Sequence, residues 1–124
     1  MSKKKLSGKA LEEFATLYDI LKDQAKCVIS TLDAHNPDLV AQAMKDEGEI
    51  KMLATEFENH HLERLRNGEC NPVSGVIYIE MLGEVEKISA NLTNIAERSA
   101  GIQKNYLIFS KGKNKEIAEE TAKV

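Results

Sequence analysis

Tryptophan is absent from this 124-residue sequence, and aromatic residues of all kinds make up only 5% of it. Proline occurs twice and glycine seven times, whereas folds built from many short strands need such residues in their turns. These shortages disfavour a β-sandwich or barrel and favour helices. A chain of this length is enough for one domain with a modest hydrophobic core.

The sequence also lacks long hydrophobic runs and an excess of charge of one sign. Its longest apolar runs, such as VIYI and YLIF, are far shorter than the roughly 20 residues that cross a bilayer. No apolar stretch follows the basic start MSKKKLSGK, so no signal peptide is expected. The net charge of −3, with both signs interspersed, predicts no nucleic-acid surface. Cys27 and Cys70 fit no metal or redox spacing, and we expect reduced thiols in a cytoplasmic protein, with a disulfide as the alternative.

Two Asn-Pro pairs indicate where helices begin. Asn36 and Asn71 can accept hydrogen bonds from free helical N–H groups, and the proline after each one suits the first helical position. Gly68 precedes the second pair and can adopt the left-handed conformation that ends a helix. The sequence therefore predicts helices over about 7–33, 37–67 and 72–110. They form an all-α, antiparallel up-down-up three-helix bundle.

Each predicted helix carries a stripe of apolar residues at alternating spacings of three and four, which is typical of a core-facing surface. The stripes are Leu11, Phe14, Tyr18, Leu21, Ala25, Val28 and Leu32 in the first helix; Leu39, Ala43, Ile50, Leu53, Phe57 and Leu65 in the second; and Tyr78, Met81, Val85, Ile88, Leu92 and Ile95 in the third.

The third stripe continues past the predicted bundle. Ile102, Tyr106 and Phe109 keep its spacing before SKGKNK interrupts it. We expect this apolar end to bind a partner helix, from a second copy of the chain or from a missing part of a longer protein. The alternative is that Gly101 ends the helix and residues 105–109 fold back. Residues 111–124 are expected to form a weakly ordered tail.

Few residues suggest chemistry. Glu47 and His61 occupy apolar positions of the second stripe; we expect Glu47 to reach water and His61 to be half-buried and bonded to an oxygen atom. Glu58 and His61 have the Glu-x-x-His spacing of di-iron bundles, but the second such pair that those sites need is missing. No nucleophile with a base, glycine-rich phosphate loop or zinc spacing is present. The sequence therefore predicts no enzyme activity.

An ordered set of short motifs runs from residue 61 to residue 97. His-x-x-Arg-Leu ends one helix, Gly-x-Cys follows in the turn, and VEKI and NIAE lie in the next helix. This set resembles the PhoU domain, in particular the C-terminal PhoU domain that follows the membrane segment in bacterial sodium/phosphate cotransporter-like proteins. The resemblance covers about residues 40–98. It implies a fold of three-helix repeats, usually two per protein, and a role in regulating phosphate uptake and signalling.

The resemblance also implies metal-binding positions, which this sequence retains only in part. PhoU-like proteins have carboxylate pairs one helical turn apart that can hold clusters of metal ions. Here Glu47 is followed by Lys51, and Glu86 by Ala90. A lysine ammonium has no lone pair to give and alanine has no oxygen, so we expect no metal and no cofactor. The remaining candidates for completing a reduced site are Glu84 and His61.

The favoured hypothesis is a non-catalytic regulatory domain that contacts proteins near a phosphate transporter. It would act as a homo-oligomer or with a second PhoU-like repeat, either alone or as the membrane-associated cytoplasmic part of a sodium/phosphate cotransporter. One alternative is a helical oligomerisation module with no link to phosphate. Another is a carboxylate-bridged metal protein that uses Glu47, Glu58, His61, Glu84 and Glu86.

Overall fold

The protein is a bundle of three helices, as the sequence predicts. The computed structural model describes residues 8–33 and 36–123, with side chains described in 8–33 and 36–102. Within these ranges there is no strand. The helices are α1 (Gly8–Asp33), α2 (Pro37–Arg66) and α3 (Pro72–Lys123).

The Asn-Pro pairs begin α2 and α3, because each asparagine side chain accepts a free N–H group of the first turn. Asn36 Oδ1 lies 3.0 Å from the backbone nitrogen of Asp38, and Asn71 Oδ1 lies 2.8 Å from that of Val73. In both cases proline is the first helical residue. Gly68 follows α2 with φ 71°, a left-handed conformation that costs glycine little.

The end of α3 differs from the prediction. The helix passes through Gly101 and continues to Lys123, so residues 105–109 do not fold back and residues 111–123 are not a separate tail. The physical reason is that the segment after residue 110 contains no proline, and a glycine within a helix costs only about 1 kcal/mol among good helix formers such as Lys, Glu and Ala. With 52 residues, α3 is about 78 Å long.

Contacts between the helices fix their directions. Glu13, near the start of α1, lies beside Arg64, near the end of α2, and beside Tyr78, near the start of α3. At the other end, Ser99 Oγ of α3 donates to the carbonyl oxygen of Thr31 in α1 at 3.3 Å. Therefore α1 and α3 run parallel and α2 runs antiparallel to both. Since α1 ends at Asp33, the last 21 residues of α3 extend about 30 Å past the bundle.

The core consists of two apolar clusters with a polar layer between them. The larger cluster contains Leu17, Ile50 and Tyr78, all fully buried, and lies toward the α2–α3 turn. The smaller one contains Val28 and Ala43 and lies toward the α1–α2 connection. Burying a side chain the size of leucine stabilises the fold by about 2 kcal/mol.

Gln24 forms the polar layer between the clusters. Its side-chain nitrogen lies 3.1 Å from the carbonyl oxygens of both Ala43 and Ser89 and 3.0 Å from Thr93 Oγ1, and its oxygen accepts from Ser89 Oγ at 2.7 Å. Gln24 and Ser89 are fully buried. A buried amide is tolerated only when its donors and acceptors are paired, and here one side chain bridges all three helices.

The predicted stripes of α1 and α3 are only half buried. On α1, Phe14, Leu21 and Val28 pack in the core, while Leu11, Tyr18 and Leu32 are more than half exposed. A helix in a three-helix bundle turns one row of side chains inward, so a stripe two rows wide leaves one row outside. The exposed row of α3 contains Ile88, Ile95 and Ile102, with exposed fractions of 46–69%.

These two exposed rows run side by side. Residues seven apart stay on one helix face, and α1 and α3 are parallel. Leu32 of α1 lines one open hollow of about 350 Å³ together with Ile95 and Ile102 of α3. We call the surface between the rows the α1/α3 groove. Its residues are Leu11, Tyr18, Ala25 and Leu32 of α1 and Met81, Ile88, Ile95 and Ile102 of α3.

Gly75 permits close contact between α2 and α3, and its replacement is a test of the packing. A Cβ atom at this position would overlap the His61 ring, at 3.0 Å from Cε1, and would lie 3.5 Å from Leu65 Cδ2. We expect Gly75→Ala to lower the free energy of unfolding by about 1–2 kcal/mol, because this overlap outweighs the gain in helix propensity. Urea unfolding measures the change.

Gly48 is the matched control, because it is exposed within α2 and a Cβ atom added there would meet no neighbouring atom within 4 Å. Gly48→Ala is expected to raise the free energy of unfolding by about 1 kcal/mol. If both alanine variants were stabilised, the tight contact at Gly75 would be refuted.

Candidate functional site

A pocket between α2 and α3 brings together the residues that the sequence analysis assigned to the degenerate metal positions. Glu47 and Lys51 lie one turn apart on α2, and Glu86 and Ala90 lie one turn apart on α3. All four line a cavity of about 140 Å³, together with Ile50 and Ser89. The two i, i+4 pairs therefore face the same space.

The charges at this pocket do not form a closed cluster. Glu47 and Glu86 are half-buried at the helix edges, and Lys51 is exposed. Within residues 8–33 and 36–102, no ion pair joins Lys51 to either glutamate at a distance of 4.0 Å or less. The pocket thus presents two separated carboxylates and one ammonium group, all within reach of water.

This donor set does not fit the metal ions that the resemblance implies. Hard cations take six or more oxygen ligands, and carboxylates are the strongest of them. Two of the four positions that face the pocket carry no oxygen donor, and Lys51 places a positive charge beside it. Among the described residues, no group of three or more His, Cys, Asp or Glu side chains could hold a metal ion.

The other predicted metal candidates lie elsewhere. Glu84 is exposed and pairs with Lys87 at 3.3 Å instead of lining the pocket. Glu58 is exposed on α2. His61 lies near the α2–α3 turn, where its ring meets the edge of Tyr78 at a centroid distance of 5.4 Å. The structure does not bring these residues together with Glu47 and Glu86 into the site that a carboxylate-bridged metal protein needs.

A second polar cluster, centred on Glu13, was not foreseen from the sequence. Glu13 Oε1 accepts hydrogen bonds from Arg64 Nη2 at 2.8 Å and from Tyr78 Oη at 3.0 Å, and Oε2 lies 2.8 Å from His60 Nδ1. The side chains of Glu13 and Arg64 are 13% and 8% exposed. One carboxylate of α1 therefore binds polar groups from both other helices.

The environment of Glu13 changes the protonation of the groups around it. Burial alone would raise the pKa of Glu13, but the hydrogen bonds from Arg64, His60 and Tyr78 outweigh it and lower the pKa. Burial, reinforced by the hydrogen bond to Glu13, raises the pKa of Tyr78. At neutral pH the cluster thus contains a carboxylate, a guanidinium and a neutral phenol, and the carboxylate bonds to both of the other groups.

His61 departs from its predicted environment. It is buried, with 2% of its surface exposed, and its Nδ1 lies 3.9 Å from Cys70 Sγ and not beside an oxygen atom. Its Nε2 has no hydrogen-bond partner among the described residues. The reason is that Nε2 faces the backbone of α3 at Gly75, where the carbonyl groups are already bonded within the helix. Burial and the nearby charge of Arg64 lower the pKa of His61.

Stability is expected to fall as the pH drops below about 6.5. In the unfolded chain His61 takes up a proton near its ordinary pKa of 6.5, whereas in the folded chain its pKa is lower. The unfolded state therefore binds more protons as the pH falls through this value, which favours unfolding. Glu13 adds a loss of the same sign below its ordinary pKa of 4.5.

Urea unfolding at about pH 7.5 and about pH 5.5 measures the effect of His61. His61→Phe keeps an aromatic ring against Tyr78 and should abolish most of the difference between the two conditions. An unchanged pH dependence in His61→Phe would show that another group is responsible.

The predicted partner-binding end lies partly outside the described side chains. Ile102 is 69% exposed and lines the hollow between α1 and α3, so it is accessible for contact. Tyr106 and Phe109 belong to α3, but their side chains lie outside the described part of the chain. In the part that the structure describes, no helix is both long enough and apolar enough to cross a membrane.

Comparison with known proteins adds the family. A family model described as the PhoU domain matches residues 14–99, a range that begins one residue after Glu13 and includes Arg64, the pocket and most of the bundle. No curated protein and no solved structure shows a significant match. The matched range ends near the level where α1 ends, so the match covers the bundle and not the extension of α3. On this match over more than half of its length, the chain belongs to the PhoU domain family.

Proposed function

We propose that this chain is a non-catalytic regulatory domain that controls phosphate uptake or phosphate signalling through contacts with other proteins. Its membership of the PhoU domain family supports the link to phosphate regulation. The chemistry of the two polar clusters supports a role without catalysis. In the Glu13 cluster the carboxylate is paired with Arg64. The Glu47–Glu86 pocket lacks a complete set of metal ligands, and the hydroxyl of its serine, Ser89, is used in a hydrogen bond to Gln24.

The observation that carries the proposal is the α1/α3 groove. It exposes two parallel rows of apolar side chains, and Leu32, Ile88 and Ile95 are each about half exposed. Contiguous apolar surface of this kind marks sites of protein contact, since a monomer gains nothing by leaving it in water. An amphipathic helix of a partner fits a groove between two parallel helices, where its apolar face covers both rows.

The setting that we propose is the cytoplasmic side of a membrane, next to a phosphate transporter. The resemblance to the PhoU domain of sodium/phosphate cotransporter-like proteins supports this setting. The coding sequence upstream of Met1 tests whether the domain is part of such a transporter: several apolar spans in the same reading frame would place it there. An in-frame stop codon upstream would instead make it a separate protein that binds a transporter.

Phosphate uptake in cells that lack the gene tests the function. We expect the deletion to change the ratio of labelled-phosphate uptake between phosphate-rich and phosphate-starved cells. The wild-type gene should restore the ratio, and so should Met52→Glu, which alters an exposed apolar residue of α2 outside the groove. Ile88→Glu with Ile95→Glu should not restore it. A ratio unaffected by the deletion would refute the link to phosphate.

A further inference from the structure

The apolar register of α3 continues from the bundle into its extension as far as Phe109. Within the bundle, the positions of Tyr78 and Val85 form a buried row, and those of Ile88, Ile95 and Ile102 form a half-exposed row. Tyr106 and Phe109 stand at the next positions of these two rows in the sequence. Such a repeat of seven residues with two apolar positions is the pattern by which one helix packs along another.

The extension has the same length as the exposed row that it continues. Lys123 lies 21 residues beyond Ile102, and Ile102 lies 21 residues beyond Met81. Each segment is therefore about 31 Å long. If two copies met antiparallel about a two-fold axis near Ile102, the extension of each would lie along the α3 row of the other, with Phe109 of one copy opposite Ile95 of the other.

Charge favours this antiparallel direction over the parallel one. The extension carries Lys111, Lys113 and Lys115 within five residues. In a parallel pair these lysines would face the same lysines of the second copy, and like charges at such short range are unfavourable. In the antiparallel pair they are placed opposite residues 89–93, SANLT, which carry no charge.

We propose that the α1/α3 groove binds the α3 extension of a second copy of this chain, and that the two copies are related by a two-fold axis near Ile102. This inference deepens the proposed function, on which it rests for the groove as the contact surface. An isologous pair of this kind uses each groove once and each extension once, so it closes as a dimer. It also accounts for an apolar row that continues to Phe109, past the end of α1.

Light scattering on the full-length chain over a wide range of concentrations tests the dimer. We expect a mass of twice 13.8 kDa for the wild type. Ile95→Glu should weaken dimerisation by on the order of 30-fold or more, because it places a charge at the centre of the interface. Met52→Glu, outside the groove, should leave the dimer intact. A wild-type monomer at every concentration, or a larger assembly, would overturn the proposal.

Crosslinking tests the direction and the register. In a background with Cys27 and Cys70 replaced by alanine, Ile95→Cys and Phe109→Cys are made in separate chains. The antiparallel pair places these two positions opposite each other, so the mixture should form a disulfide-linked dimer on oxidation and each chain alone should form little. If Phe109→Cys alone crosslinked as readily, the helices would be parallel and the proposed pair would be wrong.

The uptake experiment and these two measurements fail independently. A monomer that still restores phosphate control would remove the dimer and leave the proposed function in place, with the groove free for a different protein. A dimer whose loss leaves phosphate uptake unchanged would keep the interface and remove its regulatory role.

Discussion

Glu13→Ala should lower the free energy of unfolding by about 3 kcal/mol. The alanine removes the shared acceptor of Arg64 Nη2 and Tyr78 Oη, which lie 2.8 and 3.0 Å from Glu13 Oε1. Arg64 is 7% exposed and Tyr78 is fully buried, so water does not readily replace the lost carboxylate. Most of the cost thus comes from a guanidinium left buried without its counter-charge. Urea unfolding at neutral pH measures it.

The adjacent residue supplies the matched control. Glu12 has the same side chain on the same helix but is exposed, and Glu12→Ala should change stability by less than about 0.5 kcal/mol. A double-mutant cycle then isolates the pair: Glu13→Ala with Arg64→Met should cost less than the sum of the two single substitutions, since neither charge is left behind. Additive costs would contradict a coupled ion pair.

Lys51→Asp together with Ala90→Asp should create a cation site in the pocket between α2 and α3. The two substitutions put a second carboxylate one turn after Glu47 and one turn after Glu86, so four carboxylates line a cavity of about 140 Å³. Hard cations bind oxygen ligands with an affinity set by the number of charged ligands. We expect affinity for Mn²⁺, measured by calorimetry, to rise on the order of 100-fold above that of the wild type.

Thermal unfolding of the same variant provides a second measurement. Without metal, four carboxylates repel one another and the variant should unfold at a lower temperature than the wild type. At a metal concentration about 100 times the dissociation constant, binding should return about 2.7 kcal/mol of stability. Lys45→Asp, at an exposed position of α2 outside the pocket, should show neither effect. Equal metal binding by both variants would mean that the pocket is not the site.

The helix starts are predictable from sequence because their causes are local. Asn36 and Asn71 act on N–H groups two residues away, and Gly68 ends α2 by its own backbone conformation. The end of α3 is not predictable in the same way. The segment after residue 110 has no strong sequence signal for continuing or for ending the helix. The apolar stripe ends at Phe109, but such a stripe indicates which residues are buried and not where a helix ends.

The polar core is beyond the reach of sequence patterns. Gln24 and Ser89 are fully buried, yet patterns assign buried positions to apolar residues and therefore point to neither of them. Glu13 is also not predictable from such patterns. Its three partners come from α2 and α3, 47 to 65 residues away in the sequence. Only the neighbouring apolar residue Phe14 indicates that this turn of α1 faces inward.

The degenerate metal positions can be found in the sequence because helical spacing and the family motif both point to them. Glu47 and Lys51 are on one face of α2, and the structure places them across from Glu86 and Ala90. His61 cannot be placed by spacing alone. Its burial depends on Gly75 of α3, whose lack of a side chain leaves room for the ring. This room exists only once α2 and α3 are packed together, so the sequence of α2 alone does not show it.

The single amide of Gln24 has a consequence for how the three helices can move. Apolar side chains allow neighbouring helices to slip along each other at modest cost, because one methyl group replaces another. The Gln24 side chain, in contrast, bonds to the hydroxyl groups of Ser89 and Thr93, which lie at one height of α3 only. A slip of α3 by one turn would remove both hydroxyl groups from the buried amide. Axial sliding of α1 against α3 is therefore opposed near the middle of the bundle.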